Sequence, residues 1–247
     1  MWQELVGPAS IFVLAGMVKG AIGMGLPTVG IALLGLLMPP AHAAALIVMP
    51  SLVTNVWQAA AGGAFARLSM RMAVLLVCIA LGTWSARIVG AGLAEQTHAA
   101  VWLGITLALY GAYGLFGKTL RVAAKSERWL SPTIGLLTGV ATGATGVFVI
   151  PSVPYLQALG LSKDELVQGL GIVFTVATLT LGASLAQSGQ LDLRASGISI
   201  VLIVPALAGM ALGQYVRSRV SAAAFRRFFF IGTLLLGLHL AARAFFP

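Results

Sequence analysis

Apolar residues run along this chain in eight long blocks, which are separated by short polar or charged links. The blocks cover approximately residues 5–38, 42–63, 70–92, 98–117, 132–160, 165–187, 195–217 and 224–245. Six of them have the length, about 20 residues, that crosses a hydrocarbon core of about 30 Å as a helix. The runs lack the alternation of barrel strands, so the pattern predicts an all-α, polytopic membrane protein.

Two links carry helix-start signals. Ser162 followed by Glu165 is the pattern of a capping box, which predicts that a helix begins at this point. Ser131 followed by Pro132 predicts an N-cap with proline at the first helical position.

The first block is too long for one crossing. Its 34 residues would form a helix of about 51 Å, and the stretch from Gly20 to Pro27 is where it can break. Either the block is one interrupted span, or it is a helix–break–helix hairpin whose ends return to the same side. A pair of short complete spans would also return the ends to one side, and the sequence does not separate this form from a re-entrant hairpin.

The distribution of lysine and arginine favours hairpins for the first and fifth blocks. With hairpins, eleven basic residues of the links fall on one side of the membrane and three on the other, whereas single spans leave no bias. The basic side is expected to face the cytoplasm. The sequence therefore predicts a cytoplasmic link from Lys118 to Arg128 and periplasmic N- and C-termini.

The two halves of the chain resemble each other. "GMVKGAIG" at residues 16–23 aligns with "GVATGATG" at residues 139–146, a shift of 123 that also carries the following block boundaries. After a small insertion, "LGTWSARIV" aligns with "AGMALGQYV". Each half, 1–123 and 124–247, then holds a broken-helix hairpin and three transmembrane helices. Because this is an odd number of spans, the halves are predicted to be inverted repeats, and interrupted helices in matching positions point to a transporter's central site.

The amino-acid composition argues against a soluble domain, a nucleic-acid-binding protein and an enzyme. Of the 247 residues 59% are hydrophobic and 9% are charged, against about 25% charged in soluble domains. The net charge of +9 lies mostly between the blocks, so it indicates membrane orientation and no nucleic-acid partner. His42, His98 and His239 are widely spaced and have no carboxylate companion, so we expect no catalytic residues, no metal and no cofactor.

Lys19 is a cation deep inside the first block. An ammonium at this depth costs several kcal/mol unless it meets water, a counter-charge or a ligand. The acidic residues all fall at block ends or in links; they are Glu4, Glu95, Glu127, Asp164, Glu165 and Asp192. A small anionic substrate is therefore the predicted partner of Lys19, although snorkelling to the interface would also explain the residue.

Glycines and polar residues near the two breaks complete the predicted substrate site. Glycines there would let backbone N–H groups approach an anion, or would serve close helix packing. The polar residues that follow would bind the ligand or link helices. The predicted substrate-binding residues are Lys19, Gly20, Gly23, Asn55, Gln58, Thr142, Gly143, Thr145, Gly146, Thr175 and Thr178.

At these residues the chain resembles the TauE/SafE family of sulfite and organosulfonate exporters. The resemblance rests on the duplicated glycine motif, on "MPSLVTNVWQ" and on "GVFVIPSVPYLQALGLSKDELVQGLG". It implies a secondary transporter of the bacterial inner membrane that exports a small sulfur-containing anion such as sulfite, sulfoacetate or a related sulfonate. An anion channel, or an importer of thiosulfate or another small anion, is the alternative. Membrane lipid is an expected partner, and a homodimer is left open.

Overall fold

The computed structural model describes residues 2–92, 98–117, 121–191, 193–217, 219 and 222–243. Within these residues the chain is helical and has no strand, as predicted. The helices are α1 Trp2–Ile22, α2 Leu26–Leu34, α3 Pro40–Ala60, α4 Phe65–Arg71, α5 Ala73–Ile88, α6 Ala99–Phe116, α7 Ala124–Thr145, α8 Ser152–Ala158, α9 Lys163–Gln187, α10 Leu193–Val201, α11 Ile203–Arg217 and α12 Ala222–Ala242.

Five helical segments of the described chain are long and apolar enough to cross a membrane, and a sixth forms if a bent pair counts as one span. They match the six single-span blocks of the sequence. The bent pair is α4 and α5, which meet at 62°. The segment formed by α10 and α11 is the span from Ala195 to Val216. The protein is a multi-pass membrane protein.

One of the two predicted helix starts is confirmed and the other is wrong. The Ser162 hydroxyl accepts from the Glu165 N–H at 3.3 Å, and the Glu165 carboxylate accepts from the Ser162 N–H at 2.9 Å. Ser131, however, lies inside α7, which begins seven residues earlier at Ala124. Its hydroxyl lies 2.6 Å from the Tyr155 hydroxyl. The charged first turns of α7 form helix because Glu127 is held by Arg71 from the neighbouring element.

Glycines bring two pairs of helices into backbone contact. A Cβ at Gly16 or Gly20 of α1 would overlap the carbonyls of Ala206 and Met210 of α11, respectively. Residue numbers rise together along this contact, so α1 and α11 run parallel. Small residues allow such close approach within a membrane, where packing replaces the hydrophobic effect.

The same arrangement recurs between α5 and α7. Gly139 lies against the Ile79 carbonyl and Gly143 against the Thr83 carbonyl, so these two helices are also parallel. Gly139 and Gly143 align with Gly16 and Gly20 at the shift of 123 residues.

Two pairs of helices are antiparallel, and of these α3 and α9 are the more deeply buried. In α3 and α9, Asn55 contacts Thr178 and Val48 lies next to Gly182. In α6 and α12, Gly111 lies against Leu234. A cluster of buried apolar side chains surrounds these helix pairs, including Phe12, Leu103 and Phe174.

The fifth apolar block doubles back on itself. The Val122 N–H, just before α7, donates to the Ala158 carbonyl at the end of α8 at 2.9 Å. Arg71 bonds to both Glu127 at the start of α7 and the Leu159 carbonyl. The two ends of this block therefore lie at the same end of the bundle. Residues 118–120, within the predicted cytoplasmic link, lie outside the described chain.

Candidate functional site

The first apolar block breaks between α1 and α2, and the glycines there explain why. Gly23 and Gly25 have φ angles of 85° and 111°, a left-handed conformation that favours glycine over residues with a Cβ. Pro27 follows in the first turn of α2, where its missing N–H costs nothing. The break lies four residues after Lys19, so the lysine is in the last turn of α1.

Lys19 is joined to the contact between α3 and α9 by a chain of hydrogen bonds. Only 2% of the lysine is exposed, and its Nζ donates to the Asn55 Oδ1. The Asn55 Nδ2 donates to the Thr178 Oγ1 at 3.2 Å, and that hydroxyl donates to the Phe174 carbonyl at 2.7 Å. Lys19, Asn55 and Thr178 are thus brought together, one from each of three helices.

The protein supplies this ammonium with a neutral partner. Among the described side chains the ion pairs are Arg67 with Glu165 and Arg71 with Glu127, both at the bundle's end. The side chains of Glu4, Glu95 and Asp192 lie outside the described residues. Lys19 is also the sole lysine or arginine among the described side chains that is classed as buried. The Asn55 amide oxygen accepts this hydrogen bond and carries no counter-charge.

A cavity of about 360 Å³ leads to Lys19. Its mouth includes Trp57, of which 67% is exposed. The residues that line it most closely around the lysine are Gly20, Gly23, Gln58, Val167, Met210 and Gln214. The cavity therefore combines the α1–α2 break with α3, α9 and α11.

Gln58 ties the break to α9. Its Nε2 donates to the Gly23 carbonyl at 2.9 Å and to the Val167 carbonyl at 2.8 Å. Gln168, next along α9, donates to the Ala59 and Gly62 carbonyls, both at 2.7 Å. The two glutamines hold the ends of α3 and α9 together beside the cavity.

The second break, after α7, has the same backbone turn and different side chains. Gly146, the equivalent of Gly23, has a φ of 72°. The hydroxyls of Thr142 and Thr145 donate to the carbonyls of Thr138 and Ala141 on their own helix, both at 2.7 Å. Among the described residues, neither threonine hydroxyl bonds to Lys19, Asn55 or Thr178.

Several predicted site residues have other roles here. Gly20 and Gly143 are packing glycines, although Gly20 also borders the cavity. The N–H groups of Gly23 and Gly146 complete helix bonds to the Lys19 and Thr142 carbonyls, at 2.7 and 2.8 Å. Each of these two N–H groups closes the last turn of its helix, and anion binding at the two breaks stays a prediction.

Thr175 belongs to a different surface. Its hydroxyl donates to the Gly171 carbonyl, and the residue lines an apolar groove with Phe65, Leu76 and Ile172. Thr175 precedes Thr178 by three residues on α9, so their side chains point about 60° apart around the helix axis. Thr178 therefore faces α3, whereas Thr175 lies nearer to α4.

Sequence reasoning missed Val167, Met210 and Gln214 at the cavity. Gln214 carried a signal, since it is a polar residue within the seventh apolar block. Val167 contributes its backbone carbonyl, which no sequence pattern marks. No cluster of three His, Cys, Asp or Glu that could hold a metal occurs among the described residues.

A family model described as "Sulfite exporter TauE/SafE" matches residues 9–240. The chain belongs to the TauE/SafE family. The match covers both breaks and the whole Lys19 site, and it bears out the resemblance noted in the sequence. Neither the comparison with curated proteins nor that with solved structures returned a match. TauE/SafE proteins are membrane transporters, so the cavity at Lys19 lies within a transporter and not within an enzyme.

Proposed function

We propose that this protein is a secondary transporter that exports a small sulfur oxyanion, such as sulfite or a sulfonate, through the cavity at Lys19. The observation that carries the proposal is the buried ammonium of Lys19, which is held by the neutral amide of Asn55. A buried cation costs several kcal/mol without water, a counter-charge or a ligand, and an anionic substrate supplies a counter-charge. Family membership adds the sulfur-containing class of anion.

Inverted repeats would give such a site its alternating access. Equivalent glycines of the two halves make equivalent contacts, Gly16 with α11 and Gly139 with α5. In addition, Asn55 contacts Thr178, and these two residues are separated by 123 positions. A residue that touches its own equivalent lies on the axis relating the halves. These contacts support a two-fold axis through the bundle centre, beside Lys19.

The cavity is proposed to open to the cytoplasm. It includes Ala61 and Val167, which lie at the bundle end that carries Arg67 and Glu165. This is the end that the excess of basic residues assigns to the cytoplasm, with both termini in the periplasm and the bacterial inner membrane as location. An anion would then enter from the cytoplasm and meet Lys19 first.

Membrane potential supplies a driving force for export. Expelling one negative charge from a negative interior is favourable by about 2.3 kcal/mol per 100 mV. Around Lys19 the described side chains include no carboxylate that would relay protons. We therefore propose that flux follows the potential without a fixed carboxylate relay.

The test is anion flux in proteoliposomes with Lys19→Met, Lys19→Arg and Lys163→Met. Lys163 is an exposed lysine at the start of α9, so its variant controls for loss of a positive charge alone. We expect Lys19→Met to abolish saturable sulfite flux, Lys19→Arg to retain part of it, and Lys163→Met to match the wild type.

Counterflow of labelled sulfite in the wild type separates a carrier from a channel. Normal, saturable sulfite flux in Lys19→Met would contradict the proposal, because the cavity would then carry substrate without its cation. Flux in the wild type that requires a pH gradient and ignores an imposed potential would contradict the proposed driving force.

A further inference from the structure

Ser51, one helical turn before the Asn55 that bonds Lys19, carries a hydroxyl that the fold leaves unused. The residue is fully buried in α3, and among the described atoms its Oγ has no hydrogen-bond partner. Ser51 precedes Asn55 by four residues and Gln58 by seven, so all three share one face of the helix. That face meets α9 and the end of α1.

Thr28 and Thr138 also have buried hydroxyls without a partner among the described atoms, whereas several other buried hydroxyls bond to their own helix. Thr54, on the next turn of α3, donates to the carbonyls of Pro50 and Ser51. Thr83, Thr142, Thr178 and Thr233 each donate to the carbonyl four residues earlier. A buried hydroxyl without such a bond loses the free energy of its contacts with water and gains nothing in return. Ser51 therefore has a donor available for a group that the protein itself does not provide.

The second half fills the equivalent position with an aromatic ring. Phe174 aligns with Ser51, and its ring packs against Phe148 with centroids 5.0 Å apart. Phe148 aligns with Gly25 at the start of α2. In the second half, two aromatic rings therefore pack against each other. At the equivalent positions of the first half, Ser51 has a hydroxymethyl group and Gly25 has only a hydrogen atom. Both changes reduce side-chain bulk at these two positions, and Val18 and Phe229 approach Gly25 in the first half.

We infer that Ser51 is a substrate-binding residue that donates a hydrogen bond to an oxygen of the transported anion, one helical turn beyond Asn55. This inference rests on the proposed function, and it adds a determinant of specificity. Lys19 by itself would recognise only negative charge. A second donor, the Ser51 hydroxyl one turn from Asn55 in α3, would favour an anion with several oxygen acceptors. Sulfite and sulfonates have three such oxygens around one sulfur.

Binding of sulfite and of sulfoacetate to the purified protein in detergent tests the inference, with Ser51→Ala against Thr54→Val. Both variants remove a buried hydroxyl from α3, but only the Ser51 hydroxyl lies on the Asn55 face without a partner. We expect about tenfold weaker binding for Ser51→Ala, as for loss of one hydrogen bond to a charged group, and wild-type affinity for Thr54→Val. Without ligand, Ser51→Ala should unfold at the same temperature as the wild type or higher, since it loses no protein contact.

Three outcomes would overturn the inference. Wild-type affinity in Ser51→Ala, with binding lost in Lys19→Met, would reject Ser51 and leave the proposed function intact. Equal weakening in Ser51→Ala and Thr54→Val would point to packing of α3. If the wild-type protein bound neither probe, the proposed function and this inference would fall together.

Discussion

The two helix breaks of this protein share a backbone and differ in chemistry. Both end a long helix in a left-handed glycine, Gly23 in the first half and Gly146 in the second. Around the first break lie a lysine, a glutamine and a serine. Their equivalents in the second half are Thr142, Leu181 and Phe174. The proposed duplication would explain the common turn, and under the proposed function the divergence places recognition of charge in the first half.

This difference has a physical reason. Two buried ammonium groups near one axis would repel each other and would need two counter-ions, at several kcal/mol for each unpaired charge. One cation can serve both access states if it lies near the axis, and Lys19 is bonded to Asn55, which contacts its own equivalent. The second half can then be apolar and closely packed, as the contact between Phe148 and Phe174 illustrates.

Exchanging the cation between the halves should have the largest effect. In the double variant Lys19→Thr with Thr142→Lys, the relocated ammonium would meet Thr178 and Leu181 in place of Asn55 and Gln58. The Thr178 hydroxyl already donates to its own helix, so the new charge lacks an amide acceptor. We expect sulfite flux in liposomes to fall at least about a hundredfold, with lower yield of folded protein.

Flux near the wild-type level in this double variant would contradict the comparison, since the halves would then be interchangeable. The single variant Lys19→Thr is the control that measures loss of the cation alone.

Alanine substitutions at neighbouring glycines should separate packing from turn formation. A Cβ at Gly20 would overlap the Met210 carbonyl of α11, whereas a Cβ at Gly23 would meet only Val167, at 3.8 Å. We expect Gly20→Ala to destabilise the protein by about 3 kcal/mol through overpacking. Gly23→Ala should cost about 1–2 kcal/mol, the penalty for a left-handed non-glycine residue.

Thermal unfolding in detergent measures both variants, and Gly143→Ala and Gly146→Ala should repeat the same ranking in the second half. Wild-type stability in Gly20→Ala would refute the assignment of Gly20 to helix packing.

Gln58→Leu copies the second half into the first, because Leu181 is the equivalent residue. The change removes the donors to the Gly23 and Val167 carbonyls, and we expect a loss of stability of about 2 kcal/mol, about 1 for each hydrogen bond. Gln214→Leu is the matched control, since Gln214 lines the same cavity and is exposed. Equal unfolding temperatures for the two variants would contradict the proposal that Gln58 stabilises the contact between the α1–α2 break and α9.

Much of the fold was predictable because each membrane-spanning helix corresponds to a long apolar run in the sequence. Lys19 was predictable for the same reason, since one cation stands out in such a run. Asn55 and Thr178 followed from the repeat, which pairs them at the shift of 123 residues. The apolar pattern did not predict the bend between α4 and α5 or the early start of α7, where Glu127 pairs with Arg71 of α4.

The roles of the remaining site residues depend on where helices meet. Gln58 bonds to backbone carbonyls of two other segments, and a carbonyl has no sequence signature. Thr175 and Thr178 differ only by a rotation about α9, yet one lines an outer groove and the other touches Asn55. The meaning of Ser51 required knowledge that its hydroxyl lacks a partner while Thr54 has two.

The central claim is that Lys19 keeps an uncompensated charge for an anionic substrate, and Asn55→Asp tests it most directly. Aspartate has nearly the shape of asparagine and places a carboxylate where Lys19 now donates to an amide oxygen. The account predicts an internal ion pair that keeps or raises the unfolding temperature and weakens sulfite binding at least about a hundredfold, since the carboxylate neutralises the lysine and repels the anion. Sulfite binding of wild-type strength in a folded Asn55→Asp protein would contradict the account, because the substrate would then not depend on the charge of Lys19.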